Sequence, residues 1–254
     1  MSRCIAVCLR PWWRAPRRVA AQREWAKGLS VVELKVALSL DGRMATRGGD
    51  ARWITGPEAR TEVHRMRARV DAIMVGSGTV LADDPMLDVR QVRGRHPRVV
   101  LLDGRLRTPP SARLLRHPGR PPALIVHRVD ADAARHRALT EAGGVCVALP
   151  ASDQPAPQAI RRLLFDAGLR RVLLEGGPTV VADFLAARAV QYVTAFIAPC
   201  IVGDPAAPGL FVAGAAPTAM AAAMRLQRPW VRHFGADVGI EGVPILPQGH
   251  ESRT

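Results

Sequence analysis

The stretch DAIMVGSGTVLADDP, residues 71–85, joins a short apolar run to a segment with two glycines. Four consecutive apolar residues follow Asp71, and such an unbroken run is typical of a parallel strand that is covered on both faces. The glycines of Gly76-Ser77-Gly78-Thr79 let backbone amides approach a phosphate or a cofactor ring closely. The stretch therefore predicts a buried strand of an α/β sheet that ends in a candidate binding loop.

Similar apolar runs lie on both sides of this stretch, and helical patterns separate some of them. Because strand and helix alternate over roughly 200 residues, we expect a mostly parallel central sheet with helices on both faces. The predicted fold class is therefore α/β in three layers. The other strands are predicted at 31–38, 99–102, 123–126, 145–148, 172–174 and 192–197, and the clearest helices at 157–167 and 178–187.

The sequence Thr55-Gly56-Pro57-Glu58 has the pattern of a capping box at the start of a helix. It predicts that Thr55 is the N-cap and that Glu58, three residues later, bonds back to it. The apolar residues that follow share one side of this helix and are expected to be buried: Ala59, Val63, Met66 and Val70.

Three basic side chains share a second stripe of the same helix. Arg60, His64 and Arg67 are spaced i, i+4 and i+7, so they lie on one side of it. Two interpretations stay open for this stripe, a solvated basic face and a clamp for a phosphate. Trp53, just before the helix, is either a core anchor or a wall for a flat aromatic ring.

Three segments follow predicted strands, at the edge where open α/β sheets bind ligands. Residues 39–43 either contribute to a site or form a plain Asp-Gly turn. The glycine segment at 76–79 runs on to Asp83-Asp84-Pro85. In Glu175-Gly176-Gly177-Pro178-Thr179 a strand ends in a carboxylate and two glycines, and a helix follows whose free amides favour an anion. This last segment is the strongest candidate for ligand binding.

The composition excludes several classes of protein. The chain has 254 residues, 48% hydrophobic and 23% charged, which is ordinary for a globular protein. No run is apolar enough to cross a membrane, and four scattered cysteines without a CxxC pair fit a reducing cytoplasm. The seven histidines lack metal-ligand spacing, and neither a nucleophile elbow nor a glycine-rich dinucleotide fingerprint occurs. We therefore expect no metal site and no serine catalysis.

The net charge of +14 comes largely from arginine and is densest at the N-terminus. Residues 1–28 contain seven basic residues and a single acidic one. We expect this segment to be a disordered leader before a folded domain at 29–250, although a nucleic-acid arm or an organelle transit peptide has the same composition. Without a run of stacking aromatics, nucleic-acid binding is the least favoured function. In the body, arginine suits phosphate-bearing ligands.

Taken in order, several segments resemble the reductase domain of bacterial riboflavin biosynthesis, which has a dihydrofolate-reductase-like fold. They are LKVALSLDGRMA (34–45), WITGPEAR (53–60), DAIMVGSGTVLADDPMLDVR (71–90), LLEGGPTVVADFL (173–185) and IAPCIVGD (197–204), with a weaker match at GADV (235–238). The resemblance implies NADPH-dependent reduction of the ribose of 5-amino-6-(5-phosphoribosylamino)uracil to the ribitylamino product, by a cytoplasmic homodimer. No segment resembles the zinc deaminase domain that many family members carry, so a stand-alone reductase is expected.

The resemblance also assigns site residues position by position. It places Lys35 and Glu175 in the catalytic centre, with Lys35 as a proton donor or a phosphate contact. The implied contacts of NADPH are Ala37, Trp53, Thr79, Asp83, Gly104, Gly177, Pro178 and Thr179. The implied contacts of the substrate are Ala51, Arg67, Leu87, Arg90 and Glu175.

Two positions depart from the family pattern. Ala51 stands where family members commonly have a serine for the substrate, and Gly104 stands where they have a serine at a strand end. Arg105 and Arg107, just beyond, could compensate by holding the extra phosphate of NADPH. Because Ala51 lacks a hydroxyl, one alternative stays open: a related NADPH-dependent reductase that acts on another pterin- or pyrimidine-like substrate.

Overall fold

The chain folds around one sheet, as seen in a computed structural model that describes residues 21–149, 156–210 and 219–245. Within these residues the strands are β1 (Val31–Leu38), β2 (Ala72–Gly76), β3 (Arg98–Leu102), β4 (Leu124–Arg128), β5 (Val145–Leu149), β6 (Arg171–Leu174), β7 (Tyr192–Ile197), β8 (Arg225–Phe234) and β9 (Asp237–Ile245). Their order is β5-β4-β3-β2-β6-β1-β7-β9-β8. The first seven strands are parallel, whereas β9 runs antiparallel to β7 and β8 antiparallel to β9.

Helices cover both faces of this sheet. They are α1 (21–26), α2 (Pro57–Arg67), α3 (Ser77–Asp83), α4 (Ala133–Glu141), α5 (Ala156–Asp166) and α6 (Pro178–Ala186). Apolar side chains of α5 and α6 join one core cluster with β1, and those of α2, α3 and α4 join clusters on the opposite face. The predicted fold class, α/β in three layers with a mostly parallel sheet, is therefore confirmed. None of the helices in the described ranges is long and apolar enough to span a bilayer.

The strand β1 serves the core and the site at once. Val32, Leu34 and Val36 are buried in the cluster that includes α5 and α6. Because successive side chains of a strand alternate between faces, Lys35 and Ala37 lie on the other side of the sheet. There they reach the cavity described below.

The predicted strands and helices agree with the structure to within two residues at each end. Helix α4 and the hairpin of β8 and β9 have no counterpart in the prediction. The segment at 76–79 is also not a loop, because α3 begins at Ser77 directly after β2, with Gly76 as its N-cap. The two glycines of this segment therefore lie at the start of a helix, and the predicted binding loop is its first turn.

The predicted capping box at the start of α2 is wrong. The N-cap is Gly56 rather than Thr55, and no side chain caps the helix. The amide of Gly56 donates instead to Asp237 Oδ2 at 2.7 Å, so a carboxylate at the start of β9 supplies the acceptor that Glu58 was expected to provide. The buried side of the helix is confirmed for Ala59, Val63 and Met66, which are at most 7% exposed. Val70 is buried as well, but it lies beyond Arg67, where α2 ends.

The predicted leader is only partly within the described residues. Positions 1–20 lie outside them, as do positions 246–250 of the predicted domain. Positions 21–28 are described, and they begin with α1, which packs against the body. There Glu24 forms an ion pair with Arg161, and Trp25 Nε1 donates to the carbonyl of Arg170 at 3.2 Å. This part of the segment is therefore ordered, which differs from the expectation for 1–28.

Candidate active site

A cavity of about 740 Å³ opens at the carboxyl ends of β3, β2, β6 and β1, which are neighbours in the sheet. Most residues that the resemblance assigns line this one cavity, including Lys35 on β1, Glu175 directly after β6 and Asp83 at the end of α3. The others are Ala37, Ala51, Trp53, Arg67, Thr79, Arg90, Gly177, Pro178 and Thr179.

Leu87 and Gly104 do not line the cavity. The side chain of Leu87 is 5% exposed and packs in the core cluster of β2 and β3. Gly104 follows β3, and a Cβ at this position would lie 3.4 Å from the side chain of Arg128. The structure therefore places neither residue against a ligand in the cavity.

Three charged side chains meet where β6 and β1 end. Nε and Nη2 of Arg67, the last residue of α2, donate to the two carboxylate oxygens of Glu175, each at 2.7 Å. A third N–H of Arg67 donates to the carbonyl of Asp88 at 3.1 Å. Because both partners of this bidentate pair are largely buried, Arg67 is neither a solvated base nor a free phosphate clamp. Its first partner is a carboxylate of the same chain.

The pair fixes the charge state of Glu175. Burial alone would raise the pKa of this carboxyl, but the Arg67 guanidinium outweighs it, and Lys35 and His64 lower the pKa further. The pKa of Glu175 therefore lies below its ordinary value, and the side chain stays a carboxylate at neutral pH.

Lys35 has the opposite balance. Burial lowers the pKa of its ammonium group, and the positive charge of Arg67 lowers it further, while Glu175 raises it in part. The net result is a pKa below the ordinary lysine value. A lysine in this state exchanges its proton more readily near neutral pH than a solvated lysine does.

A second polar group lies beside the ion pair. Nδ1 of His64, on α2, accepts the backbone N–H of Arg90 at 3.3 Å. The guanidinium of Arg90 pairs with Asp88, and about half of its side chain is exposed. Burial lowers the pKa of His64, and the charges of Arg67 and Arg90 lower it further, so the imidazole is neutral at neutral pH.

The start of α6 forms another wall of the cavity. Gly177 is its N-cap, Pro178 is its first residue, and no side chain caps its free amides. A Cβ at Gly177 would lie 3.4 Å from Thr79 Oγ1, so glycine keeps the two helix starts close together without a side chain between them. Unsatisfied amides at a helix N-terminus attract phosphate, as the sequence predicts.

An exposed aromatic ring stands at the edge of the cavity. Trp53 is 65% exposed, and the guanidinium of Arg60 lies 4.7 Å from the centre of its ring. Of the two interpretations offered for Trp53, the core anchor is therefore excluded.

Asp83, another predicted contact of the cofactor, already has a partner in the protein. Arg52 donates to its backbone carbonyl at 3.0 Å and to its carboxylate at 3.5 Å.

Residues 39–43 form a turn that does not line the cavity. The carboxylate of Asp41 accepts the Ser39 hydroxyl at 2.6 Å and the amides of Val202 and Gly203 at 3.0 and 2.9 Å. These hydrogen bonds, the one from Ser39 first, lower the pKa of Asp41 to about 2. The Asp-Gly turn thus ties two loops together, and only two of the three predicted segments reach the cavity.

Several cavity residues carried no clear signal in the sequence. Gln91 lies on an irregular segment, where its amide oxygen accepts the Thr61 hydroxyl at 3.1 Å. Arg107 also lines the cavity, whereas Arg105 does not, and Nη2 of Arg107 donates to Ser77 Oγ at 3.3 Å. The sequence predicted that Arg105 or Arg107 contacts the cofactor, but their spacing alone could not show which of the two side chains reaches the cavity.

Comparison with known proteins places this geometry in a family. A family profile described as the RibD C-terminal domain matches residues 30–239. The riboflavin biosynthesis protein RibD of Mycobacterium tuberculosis is 36% identical over 191 residues, which cover 72% of this chain and 47% of that protein. The 2,5-diamino-6-ribosylamino-4(3H)-pyrimidinone 5′-phosphate reductase of Methanothermobacter thermautotrophicus is 37% identical over 213 residues, covering 83% of this chain and 96% of that protein. The chain thus spans about half the length of this RibD protein.

Solved structures agree with the sequence comparisons. Acinetobacter baumannii RibD has a TM-score of 0.75 at 27% identity and covers 90% of this chain and 62% of its own. The riboflavin biosynthesis reductase of Saccharomyces cerevisiae shares the fold, with a TM-score of 0.68 at 22% identity over 91% of this chain and 99% of that one. Profile, relatives and fold point the same way, and the chain belongs to the RibD C-terminal domain family.

Proposed function

We propose that the chain catalyses the NADPH-dependent reduction of the ribose of 5-amino-6-(5-phosphoribosylamino)uracil to the ribitylamino product. The observation that carries this proposal is one cavity in which Lys35, Glu175 and Arg67 meet, and which also contains the uncapped start of α6. The names of the relatives, RibD and a pyrimidinone 5′-phosphate reductase, support the same class of substrate.

The walls of the cavity fit a phosphorylated dinucleotide. The free amides after Gly177 suit its pyrophosphate, with Thr79 beside them, and Trp53 offers a flat ring at the cavity edge. Ala37, at the end of β1, lies near Lys35 and leaves room for a ring. NADPH supplies the hydride when bound, and the chain contributes binding and orientation.

The charge states assign the proton transfer to Lys35. Reduction at C1′ of the ribose breaks its bond to the ring oxygen, and that oxygen must take up a proton. Glu175 is a poor donor because its pKa lies below the ordinary value, whereas the lowered pKa of Lys35 brings it closer to neutral pH. We therefore assign the proton to Lys35, and to Glu175 the orientation of Arg67 and of sugar hydroxyls.

Arg90 is the better candidate for the substrate phosphate, because its side chain is about half exposed and pairs with Asp88 through one N–H, whereas Arg67 is largely buried and holds Glu175 with two. We expect Arg90→Ala to raise KM for the phosphorylated substrate about 10-fold or more, with kcat little changed, since a charge-assisted hydrogen bond is lost. Steady-state kinetics with the phosphorylated substrate and its dephosphorylated form test this. Arg93→Ala, an exposed neighbour, is the control, and equal effects of Arg90→Ala on both substrates would contradict the assignment.

Arg107 is the candidate for the extra phosphate of NADPH. Two strands separate β3, which precedes Arg107, from β1, which carries Lys35, so the two side chains lie at opposite ends of the cavity. We expect Arg107→Ala to raise KM for NADPH about 10-fold and to leave KM for NADH unchanged. The matched control is Arg105→Ala, which removes an exposed arginine outside the cavity. A similar loss with both cofactors would contradict this role.

The function itself is tested by mixing purified protein, NADPH and 5-amino-6-(5-phosphoribosylamino)uracil, and by identifying the product by mass spectrometry. We expect cofactor oxidation together with a ribitylamino product two hydrogens heavier than the substrate. The alternative, reduction of another pterin- or pyrimidine-like substrate, is favoured by the missing hydroxyl at Ala51, which lines the cavity. Turnover of dihydrofolate, with none of the uracil compound, would support the alternative instead.

We further propose that the reductase works as a cytoplasmic homodimer. The strand β8 ends the sheet, and within the described residues its outer edge pairs with no other strand. An unpaired edge of ten residues presents backbone N–H and C=O groups to which a strand of a second copy can bond. Sedimentation equilibrium measures the state directly, and a monomeric mass at assay concentration would refute the dimer.

A further inference from the structure

Among the described residues that line the cavity, His64 is the one buried titratable residue to which neither the resemblance nor the proposed reaction gives a role. Its side chain is 4% exposed, and it lines the cavity. Nδ1 accepts the backbone N–H of Arg90, so in the neutral imidazole the hydrogen is on Nε2. Within the described residues, Nε2 has no hydrogen-bond partner, yet it is not among the polar atoms sealed from solvent. This N–H donor is therefore open to the cavity.

The groups around His64 favour an anion at this point. Arg67 lies on the same helix, and Arg90 follows on the segment that bonds to Nδ1. The carboxylates of Asp88 and Glu175 offset these two charges, and Lys35 adds a positive charge that also acts on Glu175. The neutral N–H of His64 and the half-exposed guanidinium of Arg90 together form a pair of donors that suits the oxygens of a phosphate monoester.

We propose that His64 is a further substrate-binding residue, which donates its Nε2–H to the phosphate of the substrate. The inference rests on the proposed function, because it assumes a phosphorylated sugar in this cavity. It adds a neutral donor to the charged contact from Arg90. It also links the phosphate to the segment at 88–90 through Nδ1, so the same imidazole binds substrate and holds the backbone of Arg90.

A bound phosphate has a definite effect on the imidazole. In the free protein, burial lowers the pKa of His64 and the two guanidinium groups lower it further, while Asp88 and Glu175 oppose them. The negative charge of a phosphate at Nε2 stabilises the imidazolium, so binding raises the pKa of His64. By linkage, the phosphate then binds more tightly as pH falls through the pKa of His64, and the proton that Nδ1 gains ends its hydrogen bond from Arg90.

Two variants separate the roles of the two nitrogens. Asn places a polar atom near the position of Nδ1, and Gln places one near the position of Nε2. We expect His64→Asn to raise KM for the phosphorylated substrate about 10-fold and to keep kcat, because it loses only the donor. His64→Gln is expected to keep KM within a few-fold. The opposite ranking would overturn the proposal, because it would mean that His64 acts only by holding Arg90.

A second measurement uses the wild-type protein and does not depend on turnover, and a variant serves only to assign one signal. We would follow the imidazole resonances of the wild-type protein by NMR through a pH titration, without ligand, with ribose 5-phosphate and with ribose. The signal that His64→Asn lacks identifies His64. We expect ribose 5-phosphate, and not ribose, to raise its pKa, and an unchanged titration at saturating ribose 5-phosphate would refute the contact. Failure of the wild type to reduce the uracil substrate would refute the proposed function instead.

Discussion

Replacing Glu175 with glutamine is expected to lower kcat/KM for the phosphoribosylaminouracil substrate by about 10²-fold or more. Glutamine keeps the size of the side chain but removes its charge, so only one oxygen is left for the two donors of Arg67. The guanidinium then lies buried without a counter-ion, which is among the costlier changes in a protein interior. Steady-state kinetics with NADPH and the uracil substrate measure the loss.

The pH dependence of kcat/KM in Glu175→Gln shows whether the variant loses activity through Lys35. In the wild type, the charge of Glu175 raises the pKa of Lys35 and partly opposes the effect of burial. Without that charge the pKa of Lys35 falls further, so less of the acid form is present at neutral pH. We therefore expect the defect of Glu175→Gln to grow as pH rises and to shrink as pH falls.

A matched control is Glu141→Gln, an exposed carboxylate in the last turn of α4 and remote from the cavity. It should leave kcat/KM and its pH profile unchanged. Thermal unfolding of both variants separates lost stability from lost catalysis, because the assay is run well below either midpoint. A Glu175→Gln enzyme that retains kcat/KM within a factor of about three would contradict the role of the ion pair, since one lost charged partner is worth more than that.

The sequence predicts those residues of the site that lie on, or directly after, the parallel strands. Lys35 and Glu175 belong to strands with clear apolar patterns, and the carboxyl ends of parallel strands meet at one edge of a sheet. Their approach therefore follows from topology alone. The partner of Glu175 does not, because Arg67 is 108 positions away in the chain and the basic stripe to which it belongs fits a solvated face as well as a phosphate clamp.

The errors have a similar cause. A capping box is a local motif, and at Thr55 it was displaced by Asp237, a carboxylate 181 positions away that bonds to Gly56. The hairpin of β8 and β9 was missed because both strands carry a proline, Pro229 and Pro244, and because most residues of β8 are exposed. Such strands at the end of a sheet lack the apolar runs by which the central ones were recognised.

Replacing Lys35 with methionine is expected to lower kcat by about 10²–10³-fold, with a smaller change in KM. Methionine fills a similar volume but cannot donate a proton. In the wild type, kcat should fall as pH rises through the lowered pKa of Lys35, because only the ammonium form is an acid. This alkaline limb should be absent in Lys35→Met. Lys35→Arg should not restore the rate, since a guanidinium keeps its proton throughout the accessible pH range.

The composition of the chain provides the control and a direct measurement of the pKa. Lys27 is the other lysine of the sequence, and its exposed side chain pairs with Glu24 on α1, so Lys27→Met should behave as the wild type. Reductive ¹³C-methylation would then label two lysines and the N-terminal amine, giving three signals in a carbon–proton spectrum. The signal that Lys35→Met lacks should titrate below the lysine range, and its pKa should match the alkaline limb of kcat. A Lys35 signal that titrates in the ordinary lysine range would rule out Lys35 as the proton donor.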